Sequence, residues 1–116
     1  MTRGTISFKR KDGGYCQLWY INSDGYLQIL GKEIYKNLKT VEDIKQAVYI
    51  FIQEKCISRL ETDFTLGETE SIENILKQCN DYSYVMDEET LKWGFYMYNK
   101  PKLHDLEKEL KEINEI

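Results

Sequence analysis
The chain has 116 residues, 41% of them hydrophobic and 31% charged, with a formal net charge of −4. That is one domain, 1–116, with enough apolar surface to fold around a single core, and it excludes a disordered polyelectrolyte. The acidic balance excludes general nucleic-acid binding, which needs a basic excess, and suits a basic partner.

Met1 to Gly14 holds no apolar stretch of signal-peptide length, and the longest clean apolar run, Val48 to Ile52, is too short to span a bilayer. No membrane association and a cytoplasmic location are the expectations. Cys16, Cys56 and Cys79 are odd in number, show no C-x-x-C pairing and have one histidine for company, so neither a metal site nor a cofactor is implied.

Thr5 to Lys9 alternates, with Ile6 and Phe8 on one face, and predicts a strand. Lys11-Asp12-Gly13-Gly14 then predicts a tight hairpin turn, and Tyr15 to Ile21 the returning strand, with Cys16, Leu18 and Tyr20 opposed to Gln17 and Trp19. After Asp24-Gly25, Leu27, Leu30, Ile34 and Leu38 recur at helical spacing, so this junction ends a strand and opens a helix capped by Ser23 or Asp24. Gly31 weakens that helix and makes its start irregular. Thr40 caps the next helix, whose apolar face runs through Val41, Ile44, Val48, Phe51, Ile52 and Cys56.

Leu60 to Leu66 alternates as a short edge strand, and Ile72, Ile75, Leu76 and Cys79 mark a short helix. Tyr82 to Met86 and Lys92 to Tyr98 predict two further strands, Trp93, Phe95 and Met97 on one face and Tyr96 and Tyr98 on the other. Pro101 suits the first turn of a last helix carrying Leu103, Leu106, Leu110 and Ile113. That stripe also suits a homodimer seam, but it spans too few heptads to favour one over packing in its own domain. The predicted architecture is α+β: an antiparallel sheet of four to five strands packed against three to four helices.

Catalytic constellations are weak. His104 lies among charges with no cysteine near it in sequence, and no glycine-rich phosphate loop is present. Glu61 with Asp63, and Asp87-Glu88-Glu89, are carboxylate groups of a kind that serve acid/base work or hold a hard cation. In so acidic a chain they read more simply as solvated turns. A small carboxylate-dependent hydrolase using Asp24, Glu61 or Asp63 is the enzyme alternative. Aromatic content is the outstanding feature, with nine tyrosines and two tryptophans, mostly on or beside predicted strands. Such rings fill cores, and on an open face they offer rigid contact surface or stack a base. Trp19, Tyr20, Tyr26 and Tyr96 are candidates on that ground. The scarce arginines Arg3 and Arg59 are candidates for carboxylate or phosphate recognition.

T-R-G-T-I, a strand-turn-strand, then N-S-D-G-Y-L and G-K-E-I-Y resemble a family of small, mostly uncharacterised phage and prophage proteins. These have an N-terminal T-R-x-x-I strand and an H-x-D-G-Y stretch that ends the second strand and opens a helix. D-Y-S-Y-V-M-D-E-E-T-L-K-W is similar to their tyrosine-rich hairpin. The resemblance covers about the first forty residues well. Arg3 matches the motif arginine, and Asp24, Gly25 and Tyr26 match D-G-Y. Asn22 stands where the family tends to have histidine, which puts histidine-dependent chemistry in doubt. The resemblance implies a mobile-element origin in a bacterial host and action by binding host components.

The function expected is that of a small non-enzymatic binding protein, an anti-CRISPR-like inhibitor of a host defence protein. The alternative within that class is sequestration of a nucleotide defence signal. Arg3, Asn22, Asp24 and Tyr26 form the expected rim of the site.

Overall fold
The alternation of Ile6 and Phe8 with Thr5, Ser7 and Lys9 is realised as strand β1 (Gly4–Lys9). The turn after it is closed by Arg10 N–H to the Gly14 carbonyl (2.6 Å) and Gly13 N–H to the Arg10 carbonyl (2.9 Å). Gly13 sits at φ 95°, where a side chain is strained, so this is the turn that needs its glycine. Strand β2 (Tyr15–Ile21) returns antiparallel to β1. The computed structural model describes residues 2–21, 25–47, 57–59, 71–77, 81–98 and 100–116.

A bulge changes the phase of β2. Ile6 opposes Trp19 while Ser7 opposes Gln17, which leaves Leu18 as the inserted residue. Cys16 therefore shares a face with Trp19 and Ile21, and Tyr20 with Gln17, in place of the predicted Cys16–Leu18–Tyr20 stripe. A count of alternation cannot register one extra residue, and one residue flips every side chain beyond it.

Strands β3 (Ile57–Arg59), β4 (Tyr82–Asp87), β5 (Trp93–Met97) and the two-residue β6 (His104–Asp105) complete a sheet of order β3-β2-β1-β4-β5-β6. The class is α+β as predicted, but the sheet is mixed and not purely antiparallel. Strand β1 pairs with β4 in parallel, from Gly4 opposite Tyr82 to Lys9 opposite Asp87. Two local hairpins, β1–β2 and β4–β5, are joined through their first strands, which start at the same end of the sheet. Turn chemistry specifies each hairpin and says nothing about how the two lie together.

Leu27, Leu30, Ile34 and Leu38 are all buried, as their spacing demands. The segment opens as a π-helical turn (Leu27–Gly31) and continues as helix α1 (Lys32–Asn37), an irregular start of the kind Gly31 predicts. The helix begins after Tyr26, which is extended and provides no side-chain cap. That replaces the expected cap at Ser23 or Asp24, both of which lie outside the described residues.

Thr40 does cap helix α2 (Val41–Lys45): Asp43 N–H donates to its hydroxyl (3.1 Å), and the Asp43 carboxylate accepts from Thr40 N–H (3.1 Å). Val48, Phe51, Ile52, Cys56, Cys79 and the predicted strand Leu60 to Leu66 lie outside the described residues.

Helix α3 (Ile72–Lys77) matches its predicted stripe, but helix α4 (Leu106–Glu112) starts later than Pro101 suggests. His104 and Asp105 are extended against β5, so the helix can begin only after them, with the Asp105 carboxylate accepting from Lys108 N–H (3.1 Å). Leu103 is consequently outside the helix and 60% exposed, while Leu106 and Leu110 are fully buried in the chain's own core.

Helices α1, α2 and α4 cover one face of the sheet over Ile6, Phe8, Trp19, Tyr84, Met86, Trp93 and Phe95. Both tryptophans donate their indole N–H into this layer, Trp19 to the Ile44 carbonyl (2.6 Å) and Trp93 to the Leu38 carbonyl (2.8 Å). On the opposite face Leu76 of α3 packs with Val85 and Tyr96. Among the described residues no helix is long and apolar enough to cross a membrane.

Candidate functional site
The D-G-Y junction and the N-terminal arginine meet at the end of the sheet where β1 and β4 begin. Gly25 N–H donates to the Thr2 carbonyl (2.9 Å), and the backbone passes so close that a Cβ on Gly25 would lie 3.0 Å from the Arg3 carbonyl. The glycine is needed for close approach, since any side chain would force two backbones apart. Arg3 N–H donates to the Asp81 carboxylate (2.8 Å), and its carbonyl accepts from Asp81 N–H and Tyr82 N–H (both 3.1 Å). The buried Tyr84 hydroxyl donates to the Gly25 carbonyl (2.6 Å), locking the junction to the centre of the sheet.

A tyrosine cluster is built on this frame. The ring of Tyr82 stacks on Tyr84 (6.0 Å between centroids, 17° between planes) and meets Tyr98 at 6.2 Å. Tyr98 follows β5 with φ 53°, which turns it out of strand alternation and away from its predicted neighbour Tyr96. Tyr26 is 46% and Tyr98 60% exposed, and Ile29 is exposed one turn beyond Tyr26. Burial, then Tyr98, Asp81 and Tyr26, push the Tyr82 phenol above its usual range, so it remains a neutral hydroxyl at physiological pH. The surface joins rigid rings and phenolic hydroxyls to half-buried Arg3 and Asp81. It has the chemistry of a protein contact: large apolar area at small entropic cost, with polar tips for hydrogen bonds.

Of the residues singled out in the sequence, Arg3 and Tyr26 are brought together here. Asn22 and Asp24 lie outside the described residues. Trp19 is only 7% exposed with its indole N–H committed, and Tyr96 is buried on the other face, so neither belongs to this surface. Half-buried Tyr20 is also on that other face, and Arg59 is paired through its backbone to Trp19 in β3, at the far edge of the sheet. Sequence reasoning missed Tyr82, Tyr98, Asp81 and Ile29. The signal available for Asp81 and Tyr82 was the D-Y-S-Y stretch, whose first tyrosine opens a strand beside β1.

Catalytic arrangements find no support among the described residues. Cys16 and His104 are four strand positions apart in the sheet, on the order of 19 Å. Burial also pushes the Cys16 thiol up, against a smaller opposing influence of Arg10, which disfavours the thiolate. In the acidic turn, Asp87 Oδ1 accepts from Glu89 N–H (2.8 Å) and Thr90 N–H (3.3 Å), and Glu88 accepts from Lys11 N–H (3.3 Å). Asp87 closes its own turn, and Glu88 ties that turn to the one between β1 and β2. No cluster of three metal-ligating side chains occurs among the described residues. No family model matches this chain, and no curated protein or solved structure matches it.

Proposed function
We propose that this chain is a non-enzymatic binding protein that docks on another protein through Tyr26, Tyr82 and Tyr98, with Arg3 and Asp81 at the rim. The observation that carries the reading is the exposure of Tyr26 and Tyr98 on a frame held by main-chain hydrogen bonds. Rings held this way contribute contact area without a large ordering cost, the usual property of interface anchors. The net charge of −4 favours a partner with a basic contact surface, and association with it is expected to weaken as salt rises. Following the resemblance to phage and prophage proteins, the partner proposed is a bacterial defence protein, inhibited by occlusion.

The test is affinity capture from a bacterial lysate by the natural chain and by a Tyr26→Ser/Tyr98→Ser variant of unchanged circular dichroism. The natural chain is expected to retain a protein in stoichiometric amount and the variant to lose it. Equal retention by both chains would sink the reading.

A further inference from the structure
A second concavity lies at the opposite end of the same strands and on the other face of the sheet. Lys9 is in register with Tyr15 on β2 and Asp87 on β4, while Val85 is in register with Gly94 on β5, and Gly94 with Asp105 on β6. These residues form a band across five strands, and with Tyr96, Lys92 and Leu103 they line a half-open cleft of about 330 Å³. That volume suits a small organic molecule. The floor is low at Gly94, where a Cβ would fall 2.6 Å from the Leu103 side chain, so Leu103 forms a wall of the cleft against bare backbone. Tyr15 and Tyr96 form the aromatic side, packed on Ile72 and Leu76 of α3.

The charges lining the cleft are not equally available. Asp87 Oδ1 accepts two N–H groups of its own turn, and Asp105 Oδ1 accepts the Lys108 N–H at the start of α4. Lys9 and Lys92, by contrast, enter no ion pair among the described residues, where the pairs formed are Arg10–Asp12, Lys32–Glu115 and Lys111–Glu107. Both carboxylates keep their charge but are held by backbone donors, while no carboxylate among the described residues lies within ion-pair distance of either lysine. A bound group that pairs with the lysines is negative, and the tyrosine side of the cleft asks for a flat ring.

We propose that the cleft binds a small aromatic anion, its ring against Tyr15 and Tyr96 and its carboxylate or phosphate held by Lys9 and Lys92. This site goes beyond the protein-docking surface and does not depend on it, because the two are at opposite ends of β1 and β4.

The experiment is amide-resolved NMR titration of the full chain with two anionic probes, benzoate for the carboxylate and adenosine 5′-monophosphate for the phosphate. Benzyl alcohol and adenosine are their neutral counterparts. At least one anion is expected to shift the amides of Gly94, Tyr96 and Leu103 saturably, binding about fivefold or more tightly than its neutral counterpart. A Lys9→Gln/Lys92→Gln chain with an unchanged spectrum elsewhere is expected to lose about tenfold in affinity. The Tyr26→Ser/Tyr98→Ser variant is expected to bind the anion as the natural chain does, which separates this site from the docking surface. Equal affinity for the neutral counterparts, no loss on the double lysine substitution, or no saturation by either anion below about 10 mM would each overturn the proposal.

Discussion
The two faces of the sheet are built from the same strands, by unbroken alternation in β1 and β4, yet they differ in kind. On the face beneath α1, α2 and α4, β1 and β4 contribute Ile6, Phe8, Tyr84 and Met86, all buried and mutually packed. On the other face the same strands contribute Thr5, Ser7 and Ser83, which with Gln17 of β2 are as inaccessible as the core yet polar. The hydroxyls of Thr5 and Ser7 have no hydrogen-bond partner among the described residues. Burial alone therefore does not measure stabilisation: one face removes mainly apolar area from water, while the other, beside its Leu76–Val85–Tyr96 cluster, also removes polar groups at a cost. The helix-covered face is expected to carry the stability, and the other to tolerate change.

The strongest way to break this comparison is to truncate one large residue on each face. Phe95→Ala removes a fully buried ring from the helix-covered face and is expected to cost about 3–5 kcal/mol. Val85→Ala, on the other face and next in β4 to the Tyr84 that opposes Phe95, is expected to cost about 1–2 kcal/mol. Urea denaturation of the three chains measures both, and equal losses would mean that the faces share the load.

Tyr84→Phe is expected to come next. It keeps the ring and removes the hydroxyl that donates to Gly25, leaving a buried carbonyl without its donor. The cost is about 1–3 kcal/mol by denaturation. Because the same bond locks the Gly25–Tyr26 junction, partner retention in the capture assay is expected to fall as well. A stability loss with undiminished capture would separate the junction from the docking surface.

How much of this was legible in the sequence follows from the range of each interaction. The hairpin at Gly13, the stripe Leu27-Leu30-Ile34-Leu38 and the Thr40 cap are set within a few residues, and the chain states them directly. The parallel pairing of β1 with β4 is set by contacts between residues more than seventy positions apart, such as Arg3 with Asp81, and no local pattern encodes it. Leu18 escaped because a bulge looks like ordinary alternation until the partner strand is present. At the candidate site, D-G-Y and Arg3 stood out as motif residues. Tyr82 and Tyr98 became neighbours of Tyr26 only once the sheet was assembled, and the positive φ of Tyr98 has no sequence signature.

The polar side of the comparison is sharpened by deleting hydroxyls. Thr5→Val preserves shape and removes a buried hydroxyl with no partner among the described residues. Stability is expected to stay level or rise by up to about 1 kcal/mol, since the native chain loses no hydrogen bond and the desolvation cost disappears. A loss of more than about 1 kcal/mol would show that Thr5 is bonded after all, and would move this face closer to the other in energetic character.

The smallest expected effect is a pH dependence with the same two-faced origin. Tyr96 on the polar face is pushed from 10.0 up to about 12, by burial first and then by Tyr15 and Glu73. Tyr84 on the helix-covered face is pushed well above 10.0, again by burial first. A phenol whose folded value is raised keeps its proton in the native chain after the unfolded chain has released it. The stability this contributes is fully present below about pH 10 and is lost as pH rises towards about 12 for Tyr96, and further still for Tyr84. Denaturation midpoints taken at about pH 9 and about pH 11 should therefore fall in the natural chain, and fall less in Tyr96→Phe. Tyr84→Phe should flatten the slope to a similar extent over this range, because both phenols keep their protons in the native chain up to about pH 11. If Tyr96→Phe leaves the slope unchanged while Tyr84→Phe flattens it, the Tyr96 phenol is open to water. The contrast between the faces would then lie in their access to solvent as well as in their chemistry.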